Sequence, residues 1–291
     1  MNDVALTPSS WAWWVAQQAP ALYLFTLLLL LGVSWAGGWM LQQNARSRPP
    51  APPSSNGLLL QRLAVGGIAV LGAVAALLEL ADALRTGSPL TQFDQQLADA
   101  LRVSLSSQSL QLFGVLTHLA DTVTLTLLCL VLALILLVRQ QRGLALFWVV
   151  ALAGNGLLNQ LLKQAYDRVR PLEPDGSVMA HGLSFPSGHS SGALVAYGML
   201  CYLAWRLLPT RWHLPVLMTA VAVVFTVGTS RVLLRLHFVS DVLAGFASGL
   251  SWLVLCILCL EVSRWSRARG VAANAHSQDP ALPRPARGEE G

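Results

Sequence analysis

The chain has 291 residues, of which 54% are hydrophobic and 11% are charged. Soluble globular domains carry about 25% charged residues, so the composition argues against an ordinary soluble domain and indicates a protein of the lipid bilayer. The formal net charge is +5, but the basic residues form short clusters between apolar stretches instead of a basic stripe. Nucleic acid is therefore not an expected partner, whereas the membrane is.

Seven apolar stretches are long enough, or nearly long enough, to cross a bilayer as helices. They are rich in Leu and Ala and show no period-2 alternation, which predicts helices rather than strands. The first stretch lacks a preceding basic segment and is too long for a cleaved signal peptide, so we expect it to be retained. The predicted fold class is all-α, a polytopic transmembrane helix bundle. Its predicted spans are Ala21–Leu41, Leu63–Leu84, Thr122–Val138, Gly143–Leu162, Ser190–Trp205, Leu214–Thr229 and Val242–Leu260.

The arginines predict the orientation of the bundle. They follow the first, third, fifth and seventh spans, and these four segments share one side of the membrane if the spans alternate. The positive-inside rule makes that side the cytoplasm, with the N-terminus outside and the C-terminus inside. The Pro-rich linker Ser47–Gly57 is then cytoplasmic, and the polar tail after Arg269 is expected to be disordered. The arginines concerned are Arg46, Arg48, Arg62, Arg139, Arg142, Arg206, Arg211, Arg264, Arg267 and Arg269.

Three connections lie on the opposite side in this topology. Residues 85–121 have a helical pattern of apolar residues (Phe93, Leu97, Leu101 and Leu105) and are expected to lie in the interface, with Arg85 and Arg102 as anchors. The other two connections are unusually basic for the outer side. Such a cluster indicates an anionic ligand, with ordinary headgroup contacts as the alternative. Its members are Lys163, Arg168, Arg170, Arg231 and Arg235.

Three sequence blocks lie in these two basic connections. They read K-x6-R-P from Lys163 to Pro171, P-S-G-H from Pro186 to His189, and S-R-x5-H-x3-D from Ser230 to Asp241. In this order they resemble the signature of the type-2 phosphatidic acid phosphatase superfamily. That group includes lipid phosphate phosphatases, undecaprenyl-pyrophosphate phosphatases and vanadium haloperoxidases. The resemblance covers roughly residues 63–260 and implies a six-helix core with one additional N-terminal helix. We therefore expect an N-terminal helix and linker over 1–57, the phosphatase core over 58–263 and a disordered tail over 264–291.

The residues of these blocks also suit phosphate chemistry. His237 and Asp241 are four residues apart and share a helix face, so the carboxylate can fix the tautomer of a nucleophilic imidazole. Ser187 and Gly188 begin an apolar helix, where free N–H groups bind phosphate, and His189 is placed to protonate the leaving oxygen. The cations that would balance the charge of the transferred phosphoryl group are Lys163, Arg170 and Arg231. The alternatives are a helix-capping Ser187 with a solvent-facing His189, and a structural His237.

Other polar residues receive structural interpretations. Asp121 is expected to cap the helix that starts at Thr122, or else to line the site near Thr117. The loop carboxylates Asp167, Glu173 and Asp175 are expected to be solvated or paired with Arg168, and His181 has no role in the signature. No carboxylate cluster suited to Mg²⁺ is evident, so no metal or other cofactor is expected.

Small residues of the spans are expected to pack. Gly245 and Gly249 continue the face of Asp241 and should let this helix approach its neighbours closely. The four cysteines lie in apolar stretches, so packing is expected even for the C-x-x-C pair. They are Cys129, Cys201, Cys256 and Cys259.

The resemblance implies metal-independent hydrolysis of a phosphomonoester or diphosphate on a membrane lipid, by way of a phosphohistidine. The lipid is undecaprenyl pyrophosphate, phosphatidylglycerophosphate, phosphatidic acid or a lipid A phosphate, and no protein partner is indicated. A bacterial inner membrane, with the site facing the periplasm, is the expected location. The alternatives are a lipid phosphotransferase with the same intermediate, a vanadate-binding haloperoxidase, and a transporter whose basic mouth merely binds lipid phosphate.

Overall fold

The computed structural model describes residues 10–47, 55–84, 88–171 and 182–278, and this part of the chain is helical without strands. Its helices are α1 (Ser10–Gln17), α2 (Ala19–Ser47), α3 (Asn56–Ala83), α4 (Pro89–Ser104), α5 (Ser107–Leu116), α6 (Thr122–Val138), α7 (Arg142–Tyr166), α8 (Gly188–Leu207), α9 (His213–Leu233) and α10 (Val239–Gln278). The expectations for Arg48, Arg85, Glu173, Asp175 and His181 fall outside the described residues. So do those for most of the linker and for residues 279–291. The all-α bundle is confirmed.

Within the described residues, six helical segments are long and apolar enough to cross a membrane. They contain α2, α3, α5 with α6, α7, α9 and α10. The remaining predicted span forms α8, whose polar start, with His189, Ser190 and Ser191, lowers its hydropathy. Helix α8 has 20 residues, so it is about 30 Å long, and it packs against α7, α9 and α10. Its polar side chains therefore face other helices, and the seven-span topology stays a prediction.

Two predicted boundaries are wrong. Residues 107–121, assigned to an outer connection, form α5 and a short 3₁₀ turn (Thr117–Ala120) that lead into α6. The side chain of Ser106 caps α5 by accepting from the N–H of Ser109 at 3.2 Å. Residues 264–278, assigned to a disordered tail, continue α10, because Ala and Arg are strong helix formers, no Pro interrupts the segment, and a single glycine, Gly270, costs only about 1 kcal/mol.

The helix predicted from the apolar pattern of Phe93, Leu97 and Leu101 is confirmed as α4, and its place in the membrane interface stays a prediction. Its buried face includes Leu97 and Leu101, which pack with Ala12 and Ala16 of α1 in one apolar cluster. The ring of Trp11 stacks on the ring of Phe93 with centroids 4.8 Å apart. The N-terminal segment thus covers the apolar face of α4.

The close packing expected of the glycines in α10 is also confirmed. A Cβ at Gly245 would lie 2.5 Å from the carbonyl oxygen of Ser187, and one at Gly249 would lie 3.0 Å from the backbone of Ser191. Only glycine permits this approach without displacing the start of α8. The two glycines therefore set the distance between the helix that carries Asp241 and the helix that carries His189.

The cap expected of Asp121 and the packing expected of Cys256 are confirmed, whereas Cys259 is exposed. Asp121 caps α6, because its Oδ1 accepts from the N–H of Thr124 at 2.7 Å. Its Oδ2 lies 3.0 Å from Nδ1 of His118. The four cysteines are free, and Cys256 packs in the apolar core with Trp148 and Met199.

Candidate active site

His237 lies in the turn between α9 and α10 and is only 2% exposed. Its Nδ1 lies 3.5 Å from Oδ2 of Asp241, in the first turn of α10. Its Nε2 lies 3.4 Å from Nη1 of Arg170. The carboxylate therefore faces one ring nitrogen, and the other nitrogen faces a cation, where an anionic phosphate would be attracted.

Burial lowers the pKa of His237 to about 4, although the charge of Asp241 acts in the opposite direction. At neutral pH the imidazole is therefore uncharged. With the Nδ1 proton directed to Asp241, the lone pair of Nε2 is free, which is the state that a nucleophile needs.

Asp241 is held by more than the histidine. Its Oδ2 accepts the backbone N–H of Phe238 at 2.9 Å and a short hydrogen bond from the hydroxyl of Ser184. Its Oδ1 accepts from Nη1 of Arg168 at 2.6 Å. These three donors fix the plane of the carboxylate beside His237.

Arg168 connects the site to α4. Its Nη2 donates to Oδ2 of Asp94 at 2.8 Å, its Nη1 also donates to the hydroxyl of Ser240 at 2.7 Å, and its guanidinium lies 4.3 Å from the centroid of the Phe238 ring. Asp94 is 2% exposed. Sequence reasoning assigned Arg168 to the basic cluster and to its neighbouring loop carboxylates, and it overlooked Asp94. A signal was present, since Asp94 precedes Leu97 and Leu101 at helical spacing on the buried face of α4.

Backbone carbonyl groups position two of the predicted phosphate-binding cations. Arg170 donates from Nη1 to the carbonyl of Leu236 at 2.7 Å and from Nε to that of Gly182 at 3.2 Å. Lys163 donates from Nζ to the carbonyl of Leu183 at 2.6 Å. Burial lowers the pKa of Arg170, and the charge of Asp241 raises it. The guanidinium remains charged at neutral pH, because arginine starts from a value above 12.

Arg231, at the end of α9, is the most buried of these cations, with 6% exposure. Its Nη1 donates to the hydroxyl of Thr117 at 3.1 Å. Its buried Nε has no hydrogen-bond partner among the described residues. A buried donor of this kind is costly to leave unpaired, and a phosphate oxygen would satisfy it.

The P-S-G-H block forms the start of α8. Ser187 caps this helix, with its Oγ accepting from the N–H of Ser190 at 3.4 Å, as the alternative interpretation predicted. Its own N–H donates to the carbonyl of Asp241 at 2.9 Å. This hydrogen bond joins the P-S-G-H block to the residue that faces His237. His189 is half-buried, and burial together with the positive charge of Arg231 lowers its pKa to about 3, which does not match the solvent-facing alternative.

Asn159 of α7 is a further residue that sequence reasoning missed. Its Nδ2 donates to the carbonyl of Pro186 at 3.3 Å, and a Cβ at Gly188 would lie 2.9 Å from its Oδ1. Asn159 is one helical turn from Lys163 on the same helix. It therefore ties the phosphate-binding turn to the helix that carries Lys163.

Three further charged residues of the connections predicted to be outer lie at helix ends or in a turn. Arg102 is exposed in the last turn of α4, as an interfacial anchor requires. Arg235 adopts a left-handed backbone with φ of 57° in the turn before His237. Asp167 is exposed and ends α7 with φ of 46°.

Comparison with known proteins agrees with this geometry. Residues 143–265 match the model of the PAP2 superfamily, and this segment contains every predicted site residue. Phosphatidylglycerophosphatase B of Bacillus subtilis (strain 168) is 38% identical over 109 residues, which cover 36% of this chain and 52% of that protein. The chain thus matches about half the length of this relative.

A solved structure is also similar. It is the crystal structure of the first transmembrane PAP2 type phosphatidylglycerolphosphate phosphatase, from Bacillus subtilis, with a TM-score of 0.59 and 29% sequence identity. The match covers 65% of this chain and 94% of that one. The family match, both relatives and the arrangement around His237 agree: over residues 143–265 this chain is similar to proteins of the PAP2 superfamily.

Proposed function

We propose that the protein is a lipid phosphatase of the membrane that forms a phosphohistidine on His237. The observation that supports this most directly is the environment of that side chain. It is a buried imidazole with Nδ1 facing Asp241 and Nε2 facing Arg170. Binding of phosphate alone would need the cations but not an oriented, uncharged imidazole. This environment therefore favours the enzyme over the transporter.

In the proposed first step, the lone pair of His237 Nε2 attacks phosphorus and the bond from phosphorus to the lipid oxygen breaks. His189, which is neutral before substrate binds, takes up a proton beside the anionic phosphate and gives this proton to the departing oxygen. Lys163, Arg170 and Arg231 balance the charge on the phosphoryl oxygens during transfer. Asp241 stabilises the positive charge that the imidazole acquires.

In the second step, water attacks the phosphohistidine and gives a proton to His189, which is now neutral. The bond from phosphorus to nitrogen breaks, and inorganic phosphate leaves. A phosphotransferase would differ only in this step, because an alcohol would replace water.

For the substrate, we propose phosphatidylglycerophosphate as the first candidate. Both Bacillus relatives carry that activity in their names. Undecaprenyl pyrophosphate, phosphatidic acid and a lipid A phosphate are the competing substrates. The experiment is phosphate release by the purified full-length protein from these four lipids in detergent, with and without excess EDTA. We expect release in EDTA and none from His237→Ala. Loss in EDTA that Mg²⁺ restores would contradict the mechanism, and lipid movement without phosphate release would favour the transporter.

We also propose that the site faces the outside of a bacterial inner membrane, with the C-terminus in the cytoplasm. The basic segments that support this orientation lie at the far end of α10 from His237. The test uses a variant without the native cysteines and single exposed cysteines in place of Gln108 or Gln140. A membrane-impermeant thiol reagent applied to intact cells should label Gln108→Cys only. Labelling of Gln140→Cys instead would reverse the orientation.

A further inference from the structure

We propose that the end of the bundle opposite His237 carries a second anion site, which binds a phosphate group of an acidic membrane lipid or of a soluble compound. The structure has a cavity of about 560 Å³ there, lined by residues of α3, α7, α8 and α10. Five arginines from these four helices line it: Arg62, Arg142, Arg206, Arg264 and Arg267.

The lining carries more positive than negative charge. Its one carboxylate, Glu261, is already engaged, because it pairs with Arg62 and accepts a hydrogen bond from the hydroxyl of Tyr202. Among the described residues, none of the other four arginines forms an ion pair. These arginines line one cavity. Guanidinium groups that share a cavity bind phosphate strongly.

A second observation points to a ligand in the same place. Trp265 lines the cavity, and its buried Nε1 has no hydrogen-bond acceptor among the described residues. A buried indole N–H normally finds a partner. An oxygen of a bound phosphate would supply the missing acceptor between the arginines.

The walls favour a lipid as the source of the phosphate. Leu58, Leu59, Leu144 and Leu260 line the same cavity as the arginines. Basic pockets between transmembrane helices on the cytoplasmic side commonly hold acidic headgroups in this way. The site is separate from the catalytic one, because Val239 and Arg264 of α10 are about 38 Å apart at 1.5 Å per residue.

The test compares two variants of equal charge. Arg264→Gln with Arg267→Gln removes two cavity arginines. Arg139→Gln with Arg211→Gln removes two exposed arginines that do not line the cavity and that are predicted to lie on the same side of the membrane. Each full-length protein is titrated in detergent with phosphatidylglycerol, phosphatidylcholine and inorganic phosphate, and bound lipid is counted by native mass spectrometry.

We expect the cavity variant to retain one phosphatidylglycerol fewer and to bind it at least about tenfold more weakly. The control variant should bind like the parent. A difference between the variants with inorganic phosphate would support a soluble phosphate compound as the occupant. Equal binding of both phosphate probes by the two variants would overturn the proposal.

If the cavity variant does not fold in detergent, Trp265→Phe provides the test, since it keeps the ring and removes only the unpaired N–H. Weaker binding of phosphatidylglycerol, with unchanged binding of phosphatidylcholine, supports the site. Unchanged binding of phosphatidylglycerol overturns it.

Discussion

Nη1 of Arg168 lies 2.6 Å from Oδ1 of Asp241, and this contact orients the carboxylate that faces His237. The same guanidinium binds Asp94 of α4 through Nη2. Two buried carboxylates thus share one arginine, whose planar fork can reach both. Arg168 is a positioning residue, because it acts on the imidazole through Asp241.

The first prediction follows from this bridge. Arg168→Lys keeps the charge but cannot span both carboxylates, so Asp241 should shift relative to His237. A displacement of about 1 Å in an active site can cost about 10²-fold in rate. We expect kcat to fall by about that factor while KM changes little, because Arg168 is not placed to hold the phosphate. Arg102→Lys on the exposed end of α4 is the control, and parental kcat in a folded Arg168→Lys protein would contradict the assignment.

The two histidines are predicted to fail in different ways. His237→Ala should abolish phosphate release and any covalent intermediate, since loss of a nucleophile costs about 10⁴–10⁶ in rate. His189→Ala should still be phosphorylated by a substrate with a good leaving group, because that step needs little protonation. The adduct should then persist, since no base activates water.

The adduct is measured as acid-labile, base-stable phosphate on the peptide that contains His237. Phosphate on the peptide of His181 would show that the roles are wrongly assigned. If no variant forms an adduct, direct attack by water on the lipid phosphate would explain the chemistry better.

Arg231 is predicted to contribute to catalysis more than to stability. Its free Nε is available to the phosphoryl group, and removal of one preorganised donor costs about 10²–10³ in turnover. We expect Arg231→Ala to lose that much and still elute as a folded protein in size exclusion. Thr117→Val removes only the support at Nη1 and should cost much less. Turnover of Arg231→Ala near that of the parent would make Arg231 an interfacial anchor.

The pH dependence should report the buried imidazole. Protonation removes the lone pair of Nε2, so kcat/KM falls when the pH drops through the pKa of His237, which burial lowers to about 4. With a good leaving group, activity should therefore persist at pH 5, after correction for ionisation of the substrate. Asp241→Asn removes the charge that raises this pKa, so the fall in kcat/KM should move to lower pH. A fall in kcat/KM near pH 6.5, the ordinary pKa of histidine, would show that water reaches the imidazole.

The sequence was most informative where the signal is local. The span Thr122–Val138 has the same bounds in the structure, because a carboxylate cap and a run of apolar residues define it without help from distant contacts. The histidine and carboxylate four residues apart also lie together as predicted. His237 itself lies in the turn before α10, so the pair also depends on this turn, in which the N–H of Phe238 donates to Oδ2 of Asp241.

Contacts between distant residues could not be predicted in the same way. Asp94 and Arg168 are 74 positions apart, and spacing along the chain carries no information about which loop arginine meets a carboxylate of α4. The end of α10 was misjudged for a different reason. Polarity at residues 264–278 suggested disorder, whereas a long preceding helix removes the cost of nucleation and lets a polar, Ala-rich segment continue it.

The contact between α1 and α4 has a consequence for trimming the protein. Trp11 stacks on Phe93, the neighbour of the residue that binds Arg168, and Tyr23 of α2 donates to or accepts from Thr226 of α9 at 2.8 Å. A fragment that begins after the linker would expose the apolar face of α4 and weaken the contact between Asp94 and Arg168. The smallest piece able to keep Asp241 in place is therefore longer than the family-matched segment, and it includes residues 10–47.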